Sequence, residues 1–295
     1  MNTPAAVHPE ARARAPVSHA AGHINVRSLT VEVGPPHARF AALDSLNVEI
    51  APGEFVCVLG PSGCGKSTLL GAIAGHVPST QGEIAVDGLA VERPHPERGL
   101  VFQQHTLFPW KRVIDNVAFG LKMKGVGASE RRREAAELLA LVGLAGFESH
   151  YPAQLSGGMQ QRVEIARVLI NRPRILLMDE PFGALDAQTR RMMQTLLLDI
   201  WTQIRTTVVF VTHSIDEAIF LSDRIAILGR GPGHVKEIID VDLPRPRDAA
   251  LRHSAAFVAL RQRAWASLST ELDTRLGAQP QTHALKGADH VRFDV

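Results

Sequence analysis

The sequence predicts an α/β fold: a parallel sheet covered on both faces, an antiparallel β layer beside it, and a helical block inserted into the chain. Three observations carry this prediction. The apolar run Phe55-Val56-Cys57-Val58-Leu59 leads through a glycine-rich turn into a stretch with helical spacing. Strand signals at 175–178, 207–211 and 224–228 alternate with helical patterns, including a helix over 188–204, which implies parallel strands. Between Trp110 and Arg162 the pattern turns helical and interrupts that alternation.

The elements follow in order. Residues 24–32 alternate as a strand does, and Gly34-Pro35-Pro36 breaks the run. Residues 46–50 alternate again, and Ala51-Pro52-Gly53-Glu54 turns into the buried strand 55–59. Helical spacing from Ser67 stops near Gly75, and residues 82–91, with Asp87-Gly88 in the middle, predict a hairpin. Ser129 is placed to cap a helix over 130–142, whose Ala135, Leu138, Leu139 and Val142 share one face. After Pro244-Arg245-Pro246 a last helix is expected over 249–268, with a loose tail beyond it. Its Phe257, Leu260 and Trp265 fall at helical spacing, suited to docking on the rest of the molecule.

Composition narrows the function classes. Of 295 residues, 45% are hydrophobic and 21% charged, ordinary for a globular chain. The net charge of +2, without a long basic stripe, speaks against nucleic acid as a partner. The short cluster Arg131-Arg132-Arg133 reads as a solvated helix face. Two cysteines, Cys57 in a strand and Cys64 in the turn, fit a reducing compartment better than a disulfide framework. A thiol at Cys64 is a candidate for alkylation. No apolar run reaches the roughly 18 residues of a membrane span, and residues 1–22 have no signal-peptide core. That Ala-, Pro- and His-containing stretch is expected to be a disordered tail.

The glycine-rich turn is Gly60-Pro61-Ser62-Gly63-Cys64-Gly65-Lys66-Ser67, followed by Thr68. It fits the phosphate-loop pattern at every fixed position, with a strand before it and a helix after it. Glycines let the backbone N–H groups turn toward an anion, and the helix adds its positive end. Lys66 is then expected to reach the β and γ phosphates, and the Ser67 hydroxyl to ligate Mg²⁺. The core is thus a P-loop NTPase core, which by itself leaves kinases, GTPases and transport ATPases open. The buried strand 175–178 ends in Asp179 and Glu180. Beside the phosphate loop, Asp179 suits the Mg²⁺ shell and Glu180 suits polarisation of an attacking water. Alone, such an acidic pair would be a helix cap or turn, and Pro181 is compatible with both.

Leu155-Ser156-Gly157-Gly158-Met159-Gln160-Gln161-Arg162 resembles the signature of the ATP-binding cassette (ABC) family. Read alone, Ser-Gly-Gly before an amphipathic helix is a cap and turn. The resemblance implies that Ser156, Gly157 and Gly158 bind the γ-phosphate of ATP held by a second copy, so that two cassettes sandwich the nucleotide. It further implies roles for Gln103 in the glutamine loop, near Mg²⁺ and the membrane partner, for Asp186 in the loop reaching across the dimer, and for His213 as the switch histidine. The family's adenine-stacking register falls on His37, with Phe40 close by; an imidazole stacks more weakly than a larger ring. The resemblance spans roughly residues 24–245. It implies an ABC ATPase domain over 23–245, a helical subdomain over about 104–165, and a C-terminal helix and tail over 246–295.

A single cassette with no arms or second copy in the chain is similar to the ATPase subunit of a bacterial importer. The resemblance implies permease subunits in the membrane, a periplasmic solute-binding protein, and a peripheral position on the cytoplasmic face of the cell membrane. Leu107-Phe108-Pro109-Trp110 is the segment expected at the groove that receives the permease, although Phe108 could equally be core. That string, Asp115-Asn116-Val117-Ala118-Phe119-Gly120-Leu121 and Gly231-Pro232-Gly233 resemble the nitrate/sulfonate/taurine branch. The stretch 193–198, with Trp201, is most similar to taurine importer subunits. Nitrate and cyanate importers, exporters and a non-transport cassette acting on nucleic acid remain the alternatives.

Overall fold

The computed structural model describes residues 21–104 and 106–276, with side chains as far as residue 269. Of the tail expected over residues 1–22, residues 1–20 lie outside the described residues, as do residues 277–295 of the C-terminal segment expected over 246–295.

The antiparallel layer comprises β1 (Ile24–Val33), β2 (Phe40–Ile50), β4 (Gln81–Val86) and β5 (Leu89–Ala90), in the order β2-β1-β4-β5. Asp87-Gly88 turns β4 into β5, as the Asp-Gly pair predicts. The second sheet holds β3 (Phe55–Leu59), β6 (Arg98–Val101), β7 (Ile175–Asp179), β8 (Thr207–Thr212), β9 (Arg224–Leu228) and β10 (Val235–Asp240). Its order is β10-β9-β3-β8-β7-β6, parallel throughout except for the antiparallel edge strand β10.

Alternating residues of the central strands feed two separate cores. Val56, Val58, Ile175, Leu177, Val209 and Val211 face the antiparallel layer and α1 (Lys66–Ala74), which lies between the sheets. Phe55, Cys57, Leu59, Leu176, Met178 and Phe210 face the opposite way, onto the remaining helices. Burial on both faces explains why these strands read as unbroken apolar runs rather than alternating ones.

The inserted helices are α2 (Val113–Val117), α3 (Phe119–Met123), α4 (Ala128–Leu141) and α5 (Gly157–Leu169). Asn116, fully buried, holds the segment before them: its Oδ1 accepts from the Phe108 amide, and its Nδ2 donates to the carbonyls of Phe108, Lys111 and Arg112. Ser129 is not the cap of α4. The helix starts one residue before it, Gly127 holds the cap position, and no side chain caps it. Beyond α6 (Ala187–Ile204) and α7 (Ile215–Leu221), the helix expected over 249–268 is divided. A 3₁₀ turn covers Ala249–His253, Ser254 intervenes with its Oγ accepting from the Phe257 amide at 3.2 Å, and α8 runs Ala255–Leu276. Phe257 and Ala264 are fully buried and Leu260 packs on the core, whereas Trp265 points to solvent. Among the described residues no helix is long and apolar enough to cross a membrane.

Candidate functional site

Strand register brings the predicted residues to one edge. In the parallel sheet Leu59 lies opposite Thr212, Asp179 opposite Val211, and Val101 opposite Met178. Each strand therefore releases its following loop on the same side. These loops carry the phosphate turn at 60–67, His213, Glu180 and Gln103. The C-terminal edge of a parallel sheet is where such folds bind ligands.

Lys66 opens α1 and is almost buried, with its Nζ donating to the carbonyls of Gly60 (2.9 Å) and Pro61 (3.0 Å). The ammonium therefore lies across the mouth of the turn. Gly65 caps α1 at φ 92°, and no side chain caps the helix, so its first amides remain available to an anion. A Cβ at Gly65 would meet the Ala42 carbonyl at 2.7 Å, so glycine is required by close approach as well as by dihedral. Gly233 packs equally tightly, since a Cβ there would fall 2.1 Å from the Cys64 carbonyl. Its amide donates to the Ala42 carbonyl at 3.0 Å. Gly233, the last residue of the Gly231-Pro232-Gly233 string, thus braces the phosphate turn, a role invisible in its sequence.

Cys64 is fully buried, and burial pushes its thiol upward despite the opposing charge of Lys66. The Cys64 thiol, a candidate for alkylation in the sequence, is therefore enclosed, and reactivity requires an accessible thiolate.

Ser67 Oγ donates to Asp179 Oδ1 at 3.1 Å. Burial raises the Asp179 pKa, and the neighbouring Glu180 charge raises it further, against the pull of Ser67 and Lys66. Two hard oxygen ligands, one a carboxylate made costly by its surroundings, fit a divalent cation that keeps waters and phosphate oxygens as its other ligands. Glu180 adopts φ 42°, a left-handed conformation that costs roughly 1–3 kcal/mol in a non-glycine residue. Its amide donates to the Val211 carbonyl and its carbonyl accepts from the Gly183 amide, which fixes that turn. The strained backbone accompanies a carboxylate whose Oε2 lies 3.0 Å from His213 Nδ1.

Ser156 caps α5, its Oγ accepting from the Met159 amide at 3.4 Å. Gly157 has open space where a Cβ would stand, but at Gly158 a Cβ would meet Thr189 Cγ2 at 2.7 Å. Thr189 belongs to the first turn of α6, where Asp186 accepts from the amides of Gln188 (3.0 Å) and Thr189 (2.9 Å). The Thr189 amide, followed by its hydroxyl, lowers the Asp186 pKa. Ser156, Gly157, Gly158 and Asp186 therefore form one patch. Among the described residues, no hydrogen bond or ion pair joins that patch to the phosphate turn of the same chain.

Gln103 sits in the exposed bend after β6. Sequence reasoning missed what holds this bend: Glu164 of α5 accepts from the Thr106 amide and hydroxyl, and Arg167 donates to the Thr106 carbonyl at 2.7 Å. Trp110 is exposed and packs on Phe108 with ring centres 5.7 Å apart, whereas Leu107 packs on the core. His37 and Phe40 are exposed at the β1–β2 turn. Phe40 opens the strand whose Ala42 and Leu43 touch Gly65, and His37 lies farther out on the turn.

The fold and this edge define a P-loop nucleotide hydrolase. A family model described as ABC transporter matches residues 43–183. An uncharacterized ABC transporter ATP-binding protein of Methanocaldococcus jannaschii is 54% identical over 225 residues, covering 76% of this chain and 83% of the relative. The taurine import ATP-binding protein TauB of Rhizobium johnstonii is 50% identical, with coverages of 80% and 92%. The aliphatic sulfonates import ATP-binding protein SsuB of Bacillus cereus is 48% identical, with coverages of 75% and 86%. A solved dimeric cassette in a post-hydrolysis state, bound to ADP and Pi, matches with TM-score 0.66 and 34% identity over 75% of this chain and all of that one. The chain belongs to the ABC transporter family and is an ATP-binding ATPase of that family.

Proposed function

We propose that this protein is the ATP-hydrolysing subunit of an importer for a small sulfonate, with taurine as the favoured solute. Two copies close on ATP, and the closure drives permease subunits in the membrane, fed by a periplasmic solute-binding protein. The protein then works at the cytoplasmic face. The mechanistic part is supported by the different surroundings of two glycine-rich helix starts within one chain. The phosphate turn lies at the sheet edge, whereas the Ser156–Gly158 helix start lies beside Asp186, and among the described residues no hydrogen bond or ion pair joins the two. A site divided in this way is completed by a partner copy, and the solved cassette with ADP and Pi is dimeric.

Within the closed pair, the Lys66 ammonium and the backbone N–H groups of the turn from Ser62 to Thr68 hold the β and γ phosphates, Pro61 having no N–H to give. Ser67, Asp179 and Gln103 would hold Mg²⁺, which would supply positive charge to offset that of the phosphates. Glu180 orients a water in line with the γ-phosphorus, and His213 steadies Glu180 and contacts the γ-phosphate. Water attacks, the bond to the ADP oxygen breaks, and the products are ADP and phosphate. Ser156, Gly157 and Gly158 of the second copy place a hydroxyl, amides and a helix end on the same γ-phosphate, and Asp186 shapes the contact between copies. Adenine rests at the β1–β2 turn, where Phe40 offers the larger ring and His37 the smaller.

The sulfonate assignment rests on the printed roles of relatives, since the ATPase does not touch the solute. Glu180→Gln with ATP should elute as a dimer on size-exclusion chromatography; an unchanged monomer would count against the sandwich. Deleting the gene should abolish taurine uptake by cells. Retained taurine uptake with lost nitrate uptake would reassign the solute.

A further inference from the structure

A hydrogen-bond chain with a buried middle runs from the C-terminal segment to the turn that carries His213. Arg252, in the 3₁₀ turn Ala249–His253, donates from Nη2 to Gln194 Oε1 at 2.6 Å. Gln194 of α6, only 3% exposed, donates from Nε2 to Glu217 Oε1 at 2.8 Å. Glu217 of α7, 5% exposed, accepts on its other oxygen from the Thr212 hydroxyl. That hydroxyl accepts in turn from the Ser214 amide at 3.0 Å, and Ser214 Oγ accepts from the Glu217 amide at 3.4 Å. His213 is the residue clasped between Thr212 and Ser214.

The direction of the chain is fixed by chemistry. A guanidinium only donates and a carboxylate only accepts, so the Gln194 amide between them has one permitted orientation. With Arg252 in place, Gln194 Oε1 is satisfied and its NH₂ is committed to Glu217. Without Arg252, a buried carbonyl oxygen loses its donor, a loss that buried amides tolerate poorly. The strain then falls on Glu217 and through it on the two residues flanking His213. Arg252 is itself well seated, with its guanidinium 3.9 Å from the Phe220 ring centre. Asp248 accepts from the Leu251 amide at 3.0 Å and so pins the 3₁₀ turn that carries it.

We propose that Arg252 is a positioning residue of the ATPase, setting the His213 turn through Gln194 and Glu217, so that the C-terminal segment is part of the catalytic switch. The inference rests on the reading of His213 as the switch residue. It gives the segment after residue 246 a function beyond covering the core. Losing one end of the chain disturbs the alignment of His213 with Glu180 while leaving the phosphate turn untouched. The effect belongs in turnover and not in nucleotide affinity.

The test compares Arg252→Met, Gln194→Met, the double variant and Arg252→Lys in the full-length protein. Methionine keeps an unbranched stem on Phe220 and removes the donor, whereas lysine restores one. Arg261→Met is the control: Arg261 lines the same cavity of about 340 Å³ as Arg252 but pairs with Asp216 at 3.8 Å, outside the chain. Arg252→Met should lower kcat about three- to tenfold, a usual range for coupling along a packed network. KM for Mg-ATP should change by less than about twofold. The double variant should be no slower than the slower single variant, Arg252→Lys should recover most of the loss, and Arg261→Met should match the wild type. Melting temperatures taken on every variant separate turnover from folding. Unchanged kcat in Arg252→Met, multiplied losses in the double variant, or an equal loss in Arg261→Met would overturn the proposal. Should Arg252→Met melt below the assay temperature, Gln194→Met alone decides, with unchanged kcat overturning it. His213→Ala is run alongside. If that variant still hydrolyses ATP normally, the reading of the site fails, a result distinct from failure of the Arg252 chain.

Discussion

Glu180 Oε2 lies 3.0 Å from Nδ1 of His213, and the two residues leave adjacent parallel strands, β7 and β8. Both partners of the contact belong to one chain. A carboxylate held by an imidazole is already oriented toward the sheet edge where the phosphate turn sits. Preorganisation of this kind removes a reorganisation cost from the reaction step.

Replacing His213 by alanine should therefore lower kcat by about 10²-fold or more, the usual range for loss of a proton-handling or orienting group. Nucleotide affinity should survive, since the contacts of Lys66 are independent of His213. Phosphate release and equilibrium ATP binding measure the two quantities separately. Equal loss of both would show that the pair shapes the binding pocket and not the reaction.

Asp179→Asn should raise the melting temperature of the nucleotide-free protein by about 1–3 °C. The sign follows from the direction of the shift. Burial and Glu180 raise the Asp179 pKa above the 3.8 of the model compound, so the native state prefers the protonated form. The penalty for ionising opens as pH rises past 3.8, where the unfolded chain gives up the proton first, and is complete once pH exceeds the folded value. Below 3.8 both forms are neutral, and the difference between variant and wild type should close. The same variant should lose the extra stabilisation that Mg-ATP confers on the wild type. Calorimetric melts across pH check both statements, and a lower melting temperature at neutral pH would refute the first.

Cys64 and Cys57 should both resist alkylation under native conditions. Both thiols are fully buried, and burial raises the pKa of each. Labelling with a thiol reagent, read by mass spectrometry on each peptide, should proceed far more slowly than for a free thiol and at the rate of local opening. Rapid labelling of Cys64 abolished by ATP would show instead that the phosphate turn opens readily.

Trp110→Ala should leave the melting temperature and basal ATPase rate nearly unchanged, because the indole is 71% exposed and buries little surface. Its effect should appear in binding to the membrane subunits and in transport driven by the complex. Co-purification of the complex in detergent reads the binding, and full retention by the variant would remove Trp110 from the docking surface.

Much of this molecule is written in local sequence. Phe55-Val56-Cys57-Val58-Leu59, fully apolar because both faces are buried, announces a central parallel strand, and the glycine pattern after it announces the phosphate turn. Asp87-Gly88 sets its hairpin, and the residues at 175–179 end a strand as read. These features depend on a few neighbours, so a few residues specify them. The misreadings have the same origin. Ser129 fits a cap pattern, yet α4 begins at Ala128 and encloses it. Cys64 fits a candidate for alkylation until Leu43 of β2 and Gly233, between β9 and β10, close over its turn.

The sequence by itself determined the kinds of element, the order of the anion-binding and acidic motifs, and the family to which they belong. Only the tertiary structure decided which residues meet. Register alone places Glu180 beside His213, and close packing alone puts Gly158 on Thr189 and Gly233 on the phosphate turn. The chain Arg252–Gln194–Glu217–Thr212 joins four separate elements. Its polar residues carry no periodic or spacing signal, because their partners are chosen by packing across the fold and not by neighbours along the chain.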